Sequence, residues 1–263
     1  MKKLLIYLYM AIFEINKSNL IYNISKIRKN LSKCVRFCAM VKADAYGHGA
    51  KIVSKIIEPY IDYFGVATVD EGVELRRNGC VKPILCVGKV FEFDYKKASF
   101  YDIEMMIEDY ADLQKINKLH LFMGVHLKID LGMHRLGFID ENRFRKSIKF
   151  IKLHKNIKLV GVFSHFAECG EGFYIEKQKH FDNYLQMLGG FKNKVIKHIS
   201  NSLASEHKAL QYDMVRVGLS MYGYGESELK KVLRIKSKII SLRNVKAEEC
   251  VGYDGNYKCE NDC

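Results

Sequence analysis

A chain of 263 residues can bury a large core, and a composition of 48% apolar and 28% charged residues is that of an ordinary globular protein, which excludes a disordered or low-complexity chain. The net charge of +13 raises nucleic acid as a partner, but Lys and Arg are spread along the chain instead of gathered with aromatics on one face, so none is expected. Eight cysteines without a CxxC pair fit a reducing cytoplasm, with Cys34, Cys38, Cys80 and Cys86 acting as small hydrophobes in or beside apolar runs.

The chain opens on Met1-Lys2-Lys3 and an apolar run through Phe13, which has the charged and apolar regions of a signal peptide but no small-residue cleavage site. The run is too short for a membrane span of about 20 residues, so no membrane association is expected. Met10 is a plausible start, and residues 10–16 read as a strand placed to pair with a second domain. Ser18 is read as the N-cap of an amphipathic helix to about Ser32, followed by a strand Arg36–Val41 and a helix from about Gly49 that stops before Pro59. Further strands are expected at Phe64–Ala67, Ile84–Val87, Ile103–Ile107, Val125–Ile129, Val160–Ser164, Val195–Ile199 and Met214–Val217. Helical patterns such as Asp70–Arg77, Glu141–Lys155 and Tyr174–Leu188 lie between them. Eight strands alternating with helices argue for an α/β chain forming a closed (β/α)8 TIM-type barrel over residues 1–228. From about Lys230 the Lys-rich alternation Val232–Ile240 reads as an antiparallel strand with one wet face, the start of a truncated β domain over residues 229–263. Cys259 and Cys263 in this tail have a spacing that zinc sites use, but no second pair or nearby His completes four ligands, and no metal is expected.

In such a barrel the residues after the C-terminal strand ends face the active site. Those positions hold Lys42, Asp44, Tyr46 and His48; Lys128, Asp130 and Arg135; Ser164 and His165; His198, Asn201 and Ser202; and Arg216 with Gly218. Lys42 directly follows the apolar run Phe37–Val41, where shielding from water favours a nucleophilic amine able to form a Schiff base; a rim lysine snorkelling to solvent is the other reading. Taken singly, a histidine such as His165 or His198 is more often a satisfied core residue, and Arg135 or Lys128 is usually a surface ion-pair partner of little energetic value.

Val41–Gly49, which reads Val-Lys-Ala-Asp-Ala-Tyr-Gly-His-Gly, closely resembles the cofactor-lysine signature of bacterial alanine racemases, pyridoxal-phosphate enzymes of fold type III. The resemblance continues in order through Lys128–Gly137, Ser164–Ala167, Asn201-Ser202 and Met214–Gly223. It implies pyridoxal 5′-phosphate as cofactor, interconversion of L- and D-alanine for peptidoglycan, and a cytoplasmic homodimer. Lys42 would hold the cofactor aldehyde as an imine and act as one of two acid/base groups at the substrate α-carbon. Tyr46, Ser202 and the backbone N–H groups around Gly218 and Leu219 would bind the phosphate, with Asn201 in the same cofactor site. Arg216 would donate to the pyridine nitrogen and leave the ring largely unprotonated. His165 would pack on the ring, and Arg135 would hydrogen-bond the phenolic oxygen and reach the substrate, braced by Lys128, which family members sometimes carry carbamylated. His198 would be structural support.

The resemblance also has gaps. Racemisation needs a group on each face of the α-carbon, and the family's second group is a Tyr of the C-terminal β domain, contributed across a dimer interface. It would fall after Cys263, so turnover by these residues alone is not expected, and Tyr253 and Tyr257 come too early in the pattern to replace it. Leu131 stands where the family usually has Thr. Two rival readings share the fold: a barrel-only pyridoxal-phosphate homeostasis protein, against which Tyr46-Gly47-His48 argues, and a serine or broad-specificity racemase.

Overall fold

The computed structural model describes residues 11–167, 171–225 and 228–263, and Met10 lies outside them. The described chain begins with strand β1 (Ala11–Ile15) and helix α1 (Lys17–Asn30). Asn16, not the expected Ser18, caps α1: its backbone is extended and its side chain accepts the Asn19 N–H at 2.9 Å, while Ser18 already lies in the first turn.

Eight parallel strands follow: β2 (Arg36–Met40), β3 (Tyr63–Val66), β4 (Ile84–Cys86), β5 (Ile103–Ile107), β6 (Met123–Lys128), β7 (Ile157–Phe163), β8 (Ile196–His198) and β9 (Met214–Val217). They lie in the order β8-β7-β6-β5-β4-β3-β2-β9, with β9 returning to pair with β2. The ring closes between β8 and β9. Asp213 N–H donates to the Lys197 carbonyl at 3.0 Å, Lys197 N–H to the Asp213 carboxylate at 2.9 Å, and Arg216 N–H to the Ser200 carbonyl at 3.1 Å. This is the expected (β/α)8 barrel.

The turn α2 (Lys42–Gly47) and helix α3 (Ala50–Ile57) follow β2, then α4 (Val69–Arg77), α5 (Glu92–Phe100), α6 (Tyr110–Lys118), α7 (Glu141–Leu153) and α8 (Glu171–Gln186) follow β3 to β7 in turn. Thr68 and Glu71 form a reciprocal capping box on α4, and Asp109 and Asp140 cap α6 and α7, each cap contributing about 1 kcal/mol.

Strand alternation sorts the side chains into two sets. Phe37 and Ala39 on β2, Met105 on β5, Leu127 on β6 and Val215 on β9 join the large core under the helices. Cys38, Met40, Tyr63, Leu85, Ile196 and Met214 form a second cluster on the opposite, inner face. Glu104, His126, His198 and Arg216 share that inner phase, so polar groups fill a layer that branched apolar residues usually occupy.

Ile15–Leu233 is one compact unit, and the described residues before and after it belong to another. There β1 pairs with β10 (Leu233–Ser237). β10 is shorter than the expected Val232–Ile240 strand and has no dry face, since Arg234 to Ser237 are all exposed. β11 (Cys250–Val251) and β12 (Tyr257–Lys258) form an antiparallel pair. Cys259 and Cys263 bring their sulfurs to 3.8 Å, and among the described residues no group of three or more His, Cys, Asp or Glu is arranged to hold a metal. Cys34 is exposed, against expectation, because it sits in the turn before β2 and not in the strand; Cys38, Cys80 and Cys86 are buried. No helix among the described residues is long and apolar enough to cross a membrane.

Candidate active site

The C-terminal strand ends enclose a cavity of about 260 Å³, lined by Met40, Lys42, Tyr46, Val87, Lys128, Arg135, Phe163, His165, Asn201, Ser202, Leu203, Arg216, Gly218 and Leu219. Every residue expected at a cofactor is present, and His198 stands behind Arg216, bonded to it at 2.8 Å. Met40, Val87, Phe163 and Leu203 were not foreseen; in sequence they are indistinguishable from core residues. No carboxylate is among the lining residues, whereas Lys42, Lys128, Arg135 and Arg216 are, so the cavity favours an anion.

Lys42 is only half-buried, less shielded than the preceding apolar run suggests, because the chain turns away at once. Ala43, Asp44, Ala45 and Tyr46 all adopt left-handed backbone angles, with φ between 50° and 55°. Each costs roughly 1–2 kcal/mol in an L-residue. The surroundings hold the turn: Glu71 accepts the Ala43 N–H at 2.6 Å and the Ala67 N–H at 2.7 Å, Val41 accepts the Ala45 N–H at 2.9 Å, and Asp44 accepts the Ala50 N–H at 2.6 Å. Strain of this kind persists where neighbours over-determine it, and it gathers at functional sites. Glu71 was missed in the sequence; its only signal there is the Thr68-x-x-Glu71 capping box.

Tyr46, Ser202 and Gly218 form one end of the cavity. Burial raises the Tyr46 phenol above its usual value, which keeps it a donor. Ser202 Oγ accepts the Gly218 N–H at 3.0 Å, leaving its hydroxyl proton free to donate. A Cβ at Gly218 would lie 2.6 Å from Tyr46 Oη, so only Gly leaves this end open. Asn201 shapes the adjoining turn by accepting the Ala204 N–H at 3.0 Å.

Another part of the lining is cationic. Asp130 gathers the backbone N–H groups of Gly132, Met133, His134 and Arg135 at 2.8–3.1 Å, folding the loop that presents the Arg135 side chain at the mouth. Burial alone would raise the Asp130 carboxyl, but these four donors overcome it and hold it below its ordinary value. Lys128 is 4% exposed; burial first, then Arg135 and Arg216, bring its ammonium down to about 8. Burial and the surrounding cations hold His165 down to about 3, so it is neutral. Its Nδ1 lies 3.2 Å from Arg216, which can only donate, so the ring proton sits on Nε2.

Residues 15–226 match the family model for the alanine racemase N-terminal domain. The chain belongs to the alanine racemase family. It is 31% identical over 261 residues to alanine racemase 1 of Caldanaerobacter subterraneus subsp. tengcongensis, an alignment covering 93% of this chain and 67% of that one. It is 33% identical to the alanine racemase of Thermodesulfovibrio yellowstonii, covering 95% and 70%. The alanine racemase structure from Clostridium difficile 630 superposes with a TM-score of 0.87 at 32% identity, covering 97% of this chain and 71% of that one. Alanine racemases are pyridoxal-phosphate isomerases. Leu131, the departure from the family's usual Thr, is 4% exposed and joins the main core, away from the cavity lining.

Proposed function

We propose that the cavity binds pyridoxal 5′-phosphate and that Lys42 and its neighbours racemise alanine. The carrying observation is the convergence of Lys42, Tyr46, Arg135, His165, Ser202, Arg216 and Gly218 on one carboxylate-free cavity. The donors fit the cofactor group by group. Lys42 offers an amine for its aldehyde, and the Tyr46 and Ser202 hydroxyls suit its phosphate, beside a backbone that Gly218 leaves sterically uncovered although its own N–H is taken by Ser202 Oγ and not free as expected. Neutral His165 would flank its ring, Arg216 would donate to its pyridine nitrogen, and Arg135 would donate to its phenolic oxygen. Bound there, the cofactor supplies an electron sink for negative charge at a substrate α-carbon.

The protein groups handle orientation and protons. Arg135, beside Lys128, would orient the substrate from the mouth, and Lys42 would move a proton at the α-carbon on the face it reaches. The other face needs its own acid/base group, which by the family resemblance is a tyrosine from the β domain of a partner subunit in a homodimer. Among the residues lining the cavity, Lys42 is the one that fits the first of these two roles. Alanine as the substrate, a cytoplasmic location and a role in peptidoglycan rest on the same resemblance.

The test is the absorbance of the chain with pyridoxal phosphate before and after borohydride, beside Lys42→Ala, with D-alanine assayed in the same samples. A reducible band that Lys42→Ala loses is expected; a band that survives the substitution overturns the assignment of Lys42.

A further inference from the structure

A hydrogen-bond chain runs from the cavity floor into the barrel. Arg216 lies 2.8 Å from His198 Nδ1, His198 Nε2 lies 2.9 Å from His126 Nδ1, and His126 Nε2 lies 2.9 Å from Glu104 Oε2. Both histidines are 0% exposed. The two ends dictate the direction of every link. A guanidinium has no acceptor, so Arg216 donates and His198 Nδ1 must be bare. Neutral His198 therefore carries its proton on Nε2 and donates it to a bare His126 Nδ1. His126 in turn carries its proton on Nε2 and donates it to the Glu104 carboxylate, which only accepts. A second proton on either ring would set two donors face to face at a buried contact, a configuration that forfeits the bond and leaves both groups unsatisfied.

The fold is built around this row. The four side chains occupy the inner phase of β5, β6, β8 and β9, and a Cβ at Gly161 would strike the His126 ring. Phe163 lies parallel to His198 with ring centres 4.8 Å apart and an interplanar angle of 2°, fixing the imidazole plane. The other partners of Arg216 are the Ser164 and Ile199 carbonyls and His165. A buried guanidinium needs compensation, and Glu104 is the acid to which this chain connects it.

We propose that Glu104 and His126 are positioning residues for Arg216: the carboxylate takes the last proton of the row, and with the guanidinium at the other end it fixes both histidines as neutral Nε2–H tautomers, which presents a bare nitrogen to the guanidinium and holds it at the cavity floor. The cofactor reading gives Arg216 its purpose, but the tautomers are a property of the cofactor-free chain and are tested there.

The experiment is two-bond ¹⁵N–¹H correlation spectroscopy of the whole chain labelled at histidine, without cofactor, beside Glu104→Gln and Glu104→Leu. Neutral, Nε2-protonated rings are expected at His126 and His198 at neutral pH, and a charged or Nδ1-protonated ring at either position overturns the proposal. Glu104→Gln, whose amide oxygen still accepts, should keep the pattern and bind pyridoxal phosphate like the parent. Glu104→Leu should lose the pattern and weaken cofactor binding on the order of tenfold, the scale on which supporting partners behind a ligating group act. An unchanged pattern in Glu104→Leu refutes the role of the carboxylate. If that variant does not fold, the parent and Gln spectra decide, and a parent with the expected tautomers that fails to bind pyridoxal phosphate defeats the functional reading alone.

Discussion

Replacing Lys128 by Met should stabilise the cofactor-free chain at neutral pH. Lys128 is 4% exposed, and its ammonium falls from the ordinary 10.5 to about 8 through burial and the positive charges of Arg135 and Arg216. A drop of that size corresponds to roughly 3 kcal/mol against the charged form, so Lys128→Met should gain on the order of 1–3 kcal/mol, less whatever packing the ammonium provides. The pH dependence follows from linkage. Below about 8 both folded and unfolded chains hold the proton and the full penalty is present; between about 8 and 10.5 the unfolded chain binds more protons, so the stability of the parent rises with pH. The gap between variant and parent is therefore widest at pH 6–7 and closes across that window. Urea unfolding of both chains at pH 6, 7, 8.5 and 10 measures it. A variant less stable than its parent at pH 7, or a gap that widens toward pH 10, refutes the account of a buried ammonium held among cations, with no ion pair among the described residues. A carbamate on Lys128 carries the opposite charge and would reverse the sign, and ¹³C NMR of the parent would reveal its carbon.

Two further substitutions probe the turn after Lys42 and the cofactor end. Glu71→Ala removes the acceptor of the Ala43 and Ala67 N–H groups and the capping box of α4. It should cost about 2 kcal/mol in urea unfolding and slow the borohydride-trapped reaction at Lys42, and a loss of stability with trapping unchanged would mean the turn does not depend on Glu71. Gly218→Ala places a methyl group 2.6 Å from Tyr46 Oη. It should weaken pyridoxal phosphate binding on the order of tenfold with little change in Tm, because the clash falls on the cavity and not the core; equal affinity in a fluorescence titration would show that the phosphate lies elsewhere.

Much of this architecture is legible in the sequence because a barrel strand declares itself by what surrounds it. All eight strands fall within a few residues of their expected positions, since short β-branched runs such as Met214–Val217 are separated by amphipathic helices. The lining polar residues were legible for a related reason: they follow strand ends, and one rule of the fold places them. What escaped depends on geometry without local signature. The left-handed turn at Ala43–Tyr46 contains only one residue type, Asp44, that favours such angles, and it is held by Glu71 from a different βα unit. The N-cap fell to Asn16 over Ser18 because both are good capping residues and only the backbone decides between them.

Glu104 and His126 were hidden for a subtler reason. They lie inside strands whose other residues read as ordinary core, Ile103-Glu104-Met105-Met106-Ile107 and Val125-His126-Leu127, where a polar residue is easily taken for a solvent-facing one. In a closed barrel that reading fails, because the phase that would face water in an open antiparallel sheet faces the barrel interior. Period-2 phasing against Arg216 and His198 would have exposed them. The consequence reaches the site itself. Lys42, Lys128, Arg135 and Arg216 converge on the cavity, yet the nearby carboxylates of Asp130, Glu71 and Glu104 are each engaged with backbone N–H groups or with His126. Their bonding keeps them off the lining, so the positive charge collected there stays available to an anionic ligand instead of being cancelled by the protein's own acids.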